Sequence, residues 1–157
     1  MFSLLLTTLL ITAAPAEVRV EPLAFDINAL KQRPRVELKV KEGDATVTYS
    51  GVPLAVVLEG QFKSARRMAD LRALGDAVIL IRGSDGYQAA LGAAEAATDP
   101  KGERYLIAFE RDGKPLDAKQ GPAKLIIPAE AEHVRWVRMI DSLTLVRLSD
   151  LKPTPKS

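Results

Sequence analysis

A glycine-rich turn after the apolar segment 77–81 carries most of the side chains that could bind a ligand. It combines a cation, a hydroxyl, a carboxylate and a phenol, and its backbone amides could be presented to an anion. The residues are Arg82, Ser84, Asp85, Gly86 and Tyr87. An ordinary tight turn accounts for the same residues, because Asp-Gly is a favoured turn pair. The segment therefore predicts either a small-anion site or a turn without a ligand.

A second group of candidate binding residues lies further along the chain, at His133 and Arg135. Arg135 and Arg138 flank the only tryptophan, Trp136, and could face either a polar cleft or solvent. We expect Trp136 to anchor the core, with its indole N–H bonded to a neighbour, because a buried indole usually finds an acceptor.

The common catalytic and metal sites are not supported. A serine nucleophile at Ser84 would need a Gly-x-Ser-x-Gly elbow, and the segment is one residue short of it. His133 is the only histidine that could act as its base, and no cysteine is present. These residues cannot form a usual zinc or copper site, and no spaced carboxylate loop indicates calcium. No carboxylate pair stands out for glycoside chemistry. We predict no catalytic residue and no metal site.

Residues 1–16 are typical of a signal peptide. An apolar run over 2–14 ends in Ala14-Pro15-Ala16, and small residues three and one before Glu17 suit signal peptidase. The run is shorter than the roughly 20 residues that a membrane-spanning helix needs. A lipid anchor would require a cysteine. We predict a periplasmic or secreted protein with no membrane span after cleavage; an uncleaved anchor or a misplaced start codon is the alternative.

The composition favours a single cysteine-free domain over residues 17–150. The 157 residues carry 22 basic and 20 acidic side chains, a net charge of +2, with both signs mixed along the chain. A nucleic-acid partner is not indicated, since it would require a basic stripe. The one basic cluster, Lys63, Arg66 and Arg67, is expected on a solvated helix face. The proline-rich tail 151–157 is expected to be disordered.

Hydrophobic patterning predicts a β-rich core. Alternation over 36–40 and 45–49, around the turn residues Glu42-Gly43-Asp44, predicts a hairpin with one buried face, ending where Gly51 breaks the pattern. The apolar runs 77–81 and 105–109 predict strands buried on both faces. Asp112-Gly113 predicts a tight turn. Further strands are predicted over 18–21, where Pro22 stops the strand, and over 124–127 and 143–148.

Two or three short helices complete the prediction. Asp26 can cap a helix over 27–31, and Pro53 suits the first turn of a helix that ends at Leu58. Ser64 and Gly75 bracket another helix, in which Met68 is expected in the core. The class predicted is therefore a single α+β domain.

Four blocks of the sequence resemble, in order, the oxidoreductase molybdopterin-binding domain of the sulfite oxidase superfamily. GVPLAVVLEG at 51–60 is similar to the family's G-v-P-L-x-x-L-L helix, and Asp85-Gly86-Tyr87 matches its Asp-Gly-Tyr signature. DGKPL at 112–116 resembles its d-G-x-P-L stretch. GPAKLIIP at 121–128, followed by RWV at 135–137, resembles its G-P-x-R-L-x-v-P … K/R-W-V pair. The resemblance implies a shortened form of the family's mixed fold.

The resemblance also implies a cofactor, with one ligand missing. In active members, molybdenum held by molybdopterin performs two-electron oxo transfer on sulfite or sulfoxides. It takes a further sulfur from a cysteine upstream of the 51–60 block, and this chain has none. Oxygen or amine donors do not replace a soft thiolate. Groups that only hydrogen-bond to the metal's ligands do not replace a missing ligand. Catalytic molybdenum is therefore not expected, although bound molybdopterin is possible by family resemblance.

Two function classes follow from the sequence. In the first, the protein is a non-catalytic module that binds a small anion or an envelope protein partner in the old cofactor cleft. Arg82, Ser84, Asp85, Tyr87, His133 and Arg135 would line that cleft. In the alternative, it is an atypical molybdopterin-dependent oxidoreductase that performs oxo transfer on a sulfur compound. A purely structural envelope protein is a further reading.

Overall fold

The computed structural model describes residues 18–62 and 68–148. The predicted signal peptide, the tail 151–157 and the basic cluster Lys63, Arg66 and Arg67 lie outside these residues. Nine strands and four short helices are present within them, which confirms a β-rich mixed class. In chain order they are β1 (Val20–Leu23), α1 (Ile27–Lys31), β2 (Val36–Glu42), β3 (Ala45–Pro53), α2 (Leu54–Leu58), α3 (Met68–Ala73), β4 (Ala77–Gly83), β5 (Gln88–Gly92), α4 (Ala93–Ala97), β6 (Leu106–Arg111), β7 (Lys114–Pro115), β8 (Lys124–Ile126) and β9 (Ile140–Arg147).

The strands form two antiparallel sheets. The first sheet has the order β1-β9-β4-β5, and the second has the order β2-β3-β6-β7 with β8 also paired to β6. One hydrophobic cluster draws buried side chains from both sheets, including Ile79 and Leu145 from the first and Ile107 and Leu125 from the second. Both sheets therefore contribute to one core.

The β2–β3 hairpin is confirmed, but β3 is longer than predicted. Tyr49 and Val47 face the core, as the alternation indicates. The strand continues through Gly51 to Pro53, with a register shift against β6 between Ser50 and Gly51. A Cβ at Gly51 would lie 2.1 Å from the Ile107 carbonyl oxygen. Gly51 is therefore needed for the close approach of β3 to β6, and does not end the strand.

The two apolar runs differ in burial. Residues 105–109 are buried throughout, as predicted for a strand covered on both faces. In β4, by contrast, Ile79 and Ile81 are buried while Val78 and Leu80 are only half-buried. The prediction for β4 was wrong because one face of the first sheet is not fully covered. The Asp112-Gly113 turn is confirmed, with φ of 49° and 72° at its two residues.

Three of the four helices match predicted ones. Asp26 caps α1 by accepting from the amides of Asn28 at 2.9 Å and Ala29 at 3.2 Å. The fourth helix, α4, was missed. Met68 is 67% exposed and not in the core, because α3 buries none of its own residues. No helix in the described ranges has the length and apolar character needed to span a membrane.

Strand β1 begins and ends two residues later than predicted, because it runs from Val20 through Pro22 to Leu23. The strand pairs with β9 at the edge of the first sheet. Proline is tolerated at such an edge, since no second neighbour needs its missing N–H.

Candidate functional site

Two adjoining clefts share His133 and Arg138. The larger, the main cleft, has a volume of about 570 Å³, and the smaller, the side cleft, about 210 Å³. The main cleft is lined by the β2–β3 turn (Glu42, Gly43), by Arg111, and by residues of two loops and the start of β8: Asp117, Lys119, Gln120, Lys124, Ala131, Glu132, His133 and Arg138. The side cleft is lined by Asp85, Tyr87, His133, Val134, Trp136 and Arg138.

Lys124 is held in the wall of the main cleft by strand β8. One edge of β8 pairs with β6, where Lys124 lies opposite Ala108. Its other side is bonded to the following segment, since the Leu125 amide donates to the Val137 carbonyl at 2.8 Å. The strand is therefore covered on both edges, and only 8% of Lys124 is exposed.

A chain of hydrogen bonds connects Lys124 to the β2–β3 hairpin. Lys124 Nζ donates to Gln120 Oε1 at 2.7 Å and to the Tyr49 hydroxyl at 3.1 Å. The Tyr49 hydroxyl donates to Glu42 Oε1 at 2.5 Å, and Arg111 Nη2 donates to Glu42 Oε2 at 2.8 Å. The strand register brings Arg111 close to Tyr49 and Glu42, because Arg111 pairs with Tyr49 across β3 and β6. We call these residues, with Trp136, the Lys124 cluster.

Aromatic rings surround the buried amine. Lys124 Nζ lies 5.2 Å from the ring centroid of Tyr49 and 5.2 Å from that of Trp136. The two rings meet edge to face with centroids 6.0 Å apart. Trp136 Nε1 donates to the Ile127 carbonyl at 3.0 Å, which confirms the predicted anchor. The faces of these rings partly replace the water that the cation loses on burial.

Burial shifts the protonation equilibria of the cluster in opposite directions. Desolvation lowers the pKa of Lys124, because burial disfavours the charged amine. Desolvation, followed by the hydrogen bond to Glu42, raises the pKa of Tyr49 well above its usual range. Tyr49 therefore remains a protonated donor at neutral pH, and Lys124 releases a proton more easily than an exposed lysine would.

Residues Gly83–Tyr87, which we call the Asp85 turn, border the side cleft. The Gly86 amide donates to the Gly83 carbonyl at 2.9 Å, and the Tyr87 amide donates to Asp85 Oδ1 at 3.0 Å. Gly86 has a φ of 84°, which favours glycine. The Tyr87 hydroxyl donates to the Val134 carbonyl. This is the tight turn that the sequence predicts, with hydrogen bonds both within the turn and to the 134–139 segment.

The structure brings together only some of the seven predicted binding residues. Asp85, Tyr87 and His133 line the side cleft, and His133 also lines the main cleft. His133 has a φ of 52° and stacks on Trp136 with a centroid distance of 3.7 Å. The ligand-binding role of these three residues stays a prediction.

The other four predicted residues, Arg82, Ser84, Gly86 and Arg135, line neither cleft. Arg82 occupies an exposed position of β4, and the Ser84 amide donates to the Met139 carbonyl at 2.9 Å. Arg135 is paired with Glu130, and this hydrogen bond raises the pKa of its guanidinium. The arginine that lines both clefts is Arg138, 3.6 Å from Asp85.

Sequence reasoning missed the residues of the Lys124 cluster other than Trp136. Tyr49 was predicted only as a buried residue of a hairpin, and Glu42 only as part of its turn. One signal was available: Lys124 begins a strand whose next residues are all apolar. A lysine in a buried strand is unusual unless its charge has a partner or a use.

The comparisons with known proteins decide the family. A model of the oxidoreductase molybdopterin-binding domain matches residues 28–149. The chain belongs to this family. All four blocks that resemble the family lie within the match. A search of the curated proteins found no significant match.

The residues of this member do not fit the molybdenum of the family's cofactor. Molybdenum in active members takes a protein thiolate, and this chain contains no cysteine. Nor do the described residues contain a group of three or more acidic or histidine side chains that could hold a metal ion. The main cleft is lined instead by amines, guanidinium groups, carboxylates, an amide and an imidazole, and none of these is a soft thiolate.

Proposed function

We propose that this member of the molybdopterin-binding domain family is an exported, non-catalytic module that binds a small anionic ligand in the main cleft. The observation that carries this proposal is Lys124, whose buried amine lies in the cleft wall and, within the described part of the chain, donates to the neutral groups of Gln120 and Tyr49. A buried cation with no bonded carboxylate is costly, and an anion in the cleft would offset that cost.

The remaining charges of the main cleft support an anion. Arg111, Lys119 and Arg138 also line it, against the carboxylates of Glu42, Asp117 and Glu132. Glu42 already accepts from Arg111 and Tyr49, and Asp117 accepts from the Lys119 amide at 2.9 Å. Arg138 is 53% exposed and only loosely paired with Asp85, so its guanidinium can turn toward a ligand.

Anion titration tests the proposal. We expect phosphate, sulfate or glycolate to raise the melting temperature saturably at constant ionic strength, because binding to the native state stabilises it. Arg138→Gln should weaken binding about tenfold, since a hydrogen bond to a charged group contributes about 1.5–3 kcal/mol. Arg82→Gln is the matched control, as it removes an arginine outside both clefts. Equal effects of the two changes, or no saturable binding, would contradict the proposal.

Export is tested by the mass of the protein recovered from its native host. The proposal expects a chain that lacks residues 1–16 and is found outside the cytoplasm. Its support is the apolar run that ends in Ala14-Pro15-Ala16. An intact N-terminus on cytoplasmic material would refute this part of the proposal.

The family match favours one alternative, an atypical molybdopterin-dependent oxidoreductase that performs oxo transfer without a protein thiolate. Metal and pterin analysis of protein from the native host separates the two. The binding-module proposal expects no stoichiometric molybdenum. A molybdenum content near one per chain, with turnover of a sulfoxide or sulfite, would establish the alternative instead.

A further inference from the structure

We propose that Lys124 captures small carbonyl acids, such as 2-oxo acids, by forming an imine with them in the main cleft. The inference rests on the proposed function, because the cleft must first bind the carboxylate of the ligand. It adds a covalent step and a ligand class: an anion that also carries an aldehyde or ketone.

The surroundings of the Lys124 amine differ from those of a structural ion pair. A buried lysine that only stabilises a fold is normally paired with a carboxylate. Here the two hydrogen-bond partners within the described residues are neutral, and Lys124 Nζ lies 5.2 Å from the ring centroids of both Tyr49 and Trp136. Imine-forming lysines are likewise partly desolvated, so that the neutral amine is accessible.

A path for the amine's proton is also present. Lys124 Nζ donates to the Tyr49 hydroxyl, which in turn donates to Glu42 Oε1 at 2.5 Å. A proton can therefore pass from the amine to Glu42 through Tyr49. The burial that lowers the pKa of Lys124 favours the same transfer. Arg111 and Tyr49 bind opposite oxygens of Glu42 and hold this carboxylate in position.

The chemical step balances without an oxidant or a reductant. The neutral amine adds its lone pair to the carbonyl carbon, a C–N bond forms, and the carbonyl oxygen takes a proton from the nitrogen. Glu42 then returns the first proton through Tyr49 to that oxygen, which leaves as water. The products are one water and a protonated imine on Lys124.

The cleft also explains the ligand class. Arg138 lines the main cleft together with Lys124, so a carboxylate next to the carbonyl has a guanidinium group available. A planar 2-oxo acid is a small ligand for a cleft of about 570 Å³. Glyoxylate is therefore a suitable probe, and glycolate is its matched analogue without a carbonyl.

Reductive trapping tests the inference on the full chain. Glyoxylate and cyanoborohydride should convert Lys124 to a secondary amine, and peptide mass spectrometry should find this site labelled at least about tenfold faster than any other lysine. Lys124→Arg should abolish the rapid label, because a guanidinium group does not form the imine. Lys114→Arg, a change at an exposed lysine outside both clefts, should leave the label unchanged.

Tyr49→Phe separates a role in proton transfer from a purely structural role, because only the former predicts slower labelling with unchanged glycolate affinity. We expect it to slow labelling of Lys124 about tenfold or more while glycolate affinity changes little, because it removes the proton path and keeps the cation. Should Lys124→Arg fail to fold, the distribution of label over the lysines of the unchanged protein decides the question.

The outcomes separate the two proposals. If glycolate binds but the label is spread evenly over the lysines, the imine proposal is wrong and the anion-site proposal is retained. If neither glyoxylate nor glycolate binds, the proposed function and the inference fail together. Rapid label confined to Lys124 supports both.

Discussion

The Asp85 turn and the Lys124 cluster adjoin the same pair of clefts but are built in different ways. The turn has hydrogen bonds within five residues, at Gly86 and Tyr87, and Tyr87 is 47% exposed. The hydrogen bonds of the cluster join residues up to 75 positions apart, and its Tyr49 is fully buried. A motif that is conspicuous in the sequence marks a local turn here, whereas the more unusual chemistry comes from distant residues that meet in the core.

This difference has an energetic consequence. Exposed polar pairs contribute about 0–1 kcal/mol each, because water competes for them. A buried polar group that loses its partner costs about 1–3 kcal/mol. We therefore expect substitutions in the Lys124 cluster to change stability more than matched substitutions in the Asp85 turn.

The largest effect is expected for Trp136→Ala. It should lower the free energy of unfolding by about 3–5 kcal/mol, because a large buried aromatic residue is replaced by a cavity. Tyr87→Ala, the matched aromatic change in the turn, should cost about 1 kcal/mol, since its ring is half exposed. Urea unfolding of both variants gives the comparison, and similar costs would remove the contrast between the regions.

Gly51→Ala tests the backbone approach that brings β3 and β6 together beneath the cluster. A Cβ there would lie 2.1 Å from a backbone oxygen, so the strands must move apart. We expect a loss of about 3 kcal/mol in urea unfolding. Gly92→Ala is the control, because the nearest atom to its added Cβ is 3.7 Å away, and it should change stability by about 0.5 kcal/mol or less.

Tyr49→Phe removes only the hydroxyl that links Lys124 to Glu42. We expect a loss of about 1–3 kcal/mol at neutral pH, because the buried Lys124 and the partly buried Glu42 each lose a partner. Tyr87→Phe should cost less than about 1 kcal/mol, since water can replace its exposed hydrogen bond. A smaller loss of stability for Tyr49→Phe than for Tyr87→Phe would contradict the expected difference between the two regions.

Alkaline pH sharpens the Tyr49 comparison. The pKa of Tyr49 is raised in the folded protein above its ordinary value of 10.0. Stability that arises from such a shift is fully present below the unfolded pKa and is lost as the pH rises through the folded one. The stability difference between the unchanged protein and Tyr49→Phe should therefore be constant up to about pH 9 and decline above about pH 10.

The smallest effect is expected for Asp85→Asn. The change removes the charge that faces Arg138 at 3.6 Å, and both side chains are partly exposed. The asparagine oxygen can still accept from the Tyr87 amide, so the turn should persist. We expect a change of about 0.5 kcal/mol or less, reduced further by salt. A loss above about 2 kcal/mol would mean that the turn is as strongly coupled to the core as the cluster is.

Much of the fold could be predicted from local patterns. Alternation over 36–49 located the hairpin and the burial of Tyr49, and Asp26 marked the start of α1. The failures occurred where a neighbouring element decides the outcome. Pro22 remains in a strand because that strand lies at a sheet edge, and Gly51 remains in one because β6 lies against it.

The candidate site was less predictable. The sequence indicated Asp85, Tyr87 and His133, which line the side cleft, but favoured Arg135 as a site residue over Arg138. Both arginines flank the same tryptophan, and only the path of the 133–139 segment shows which one turns to the cleft. Arg135 is paired with Glu130, five residues earlier, and Arg138 is the arginine that lines the clefts.

By itself the sequence determined the family, because the four blocks occur in the family's order. It also determined that no thiolate can bind a metal, because the absence of cysteine is visible without a structure. Only the tertiary structure decided that Lys124 is buried beside Tyr49 and reaches Glu42 through it. Such contacts depend on the register of β3, β6 and β8, and strand register across separate elements is set by packing of the whole core.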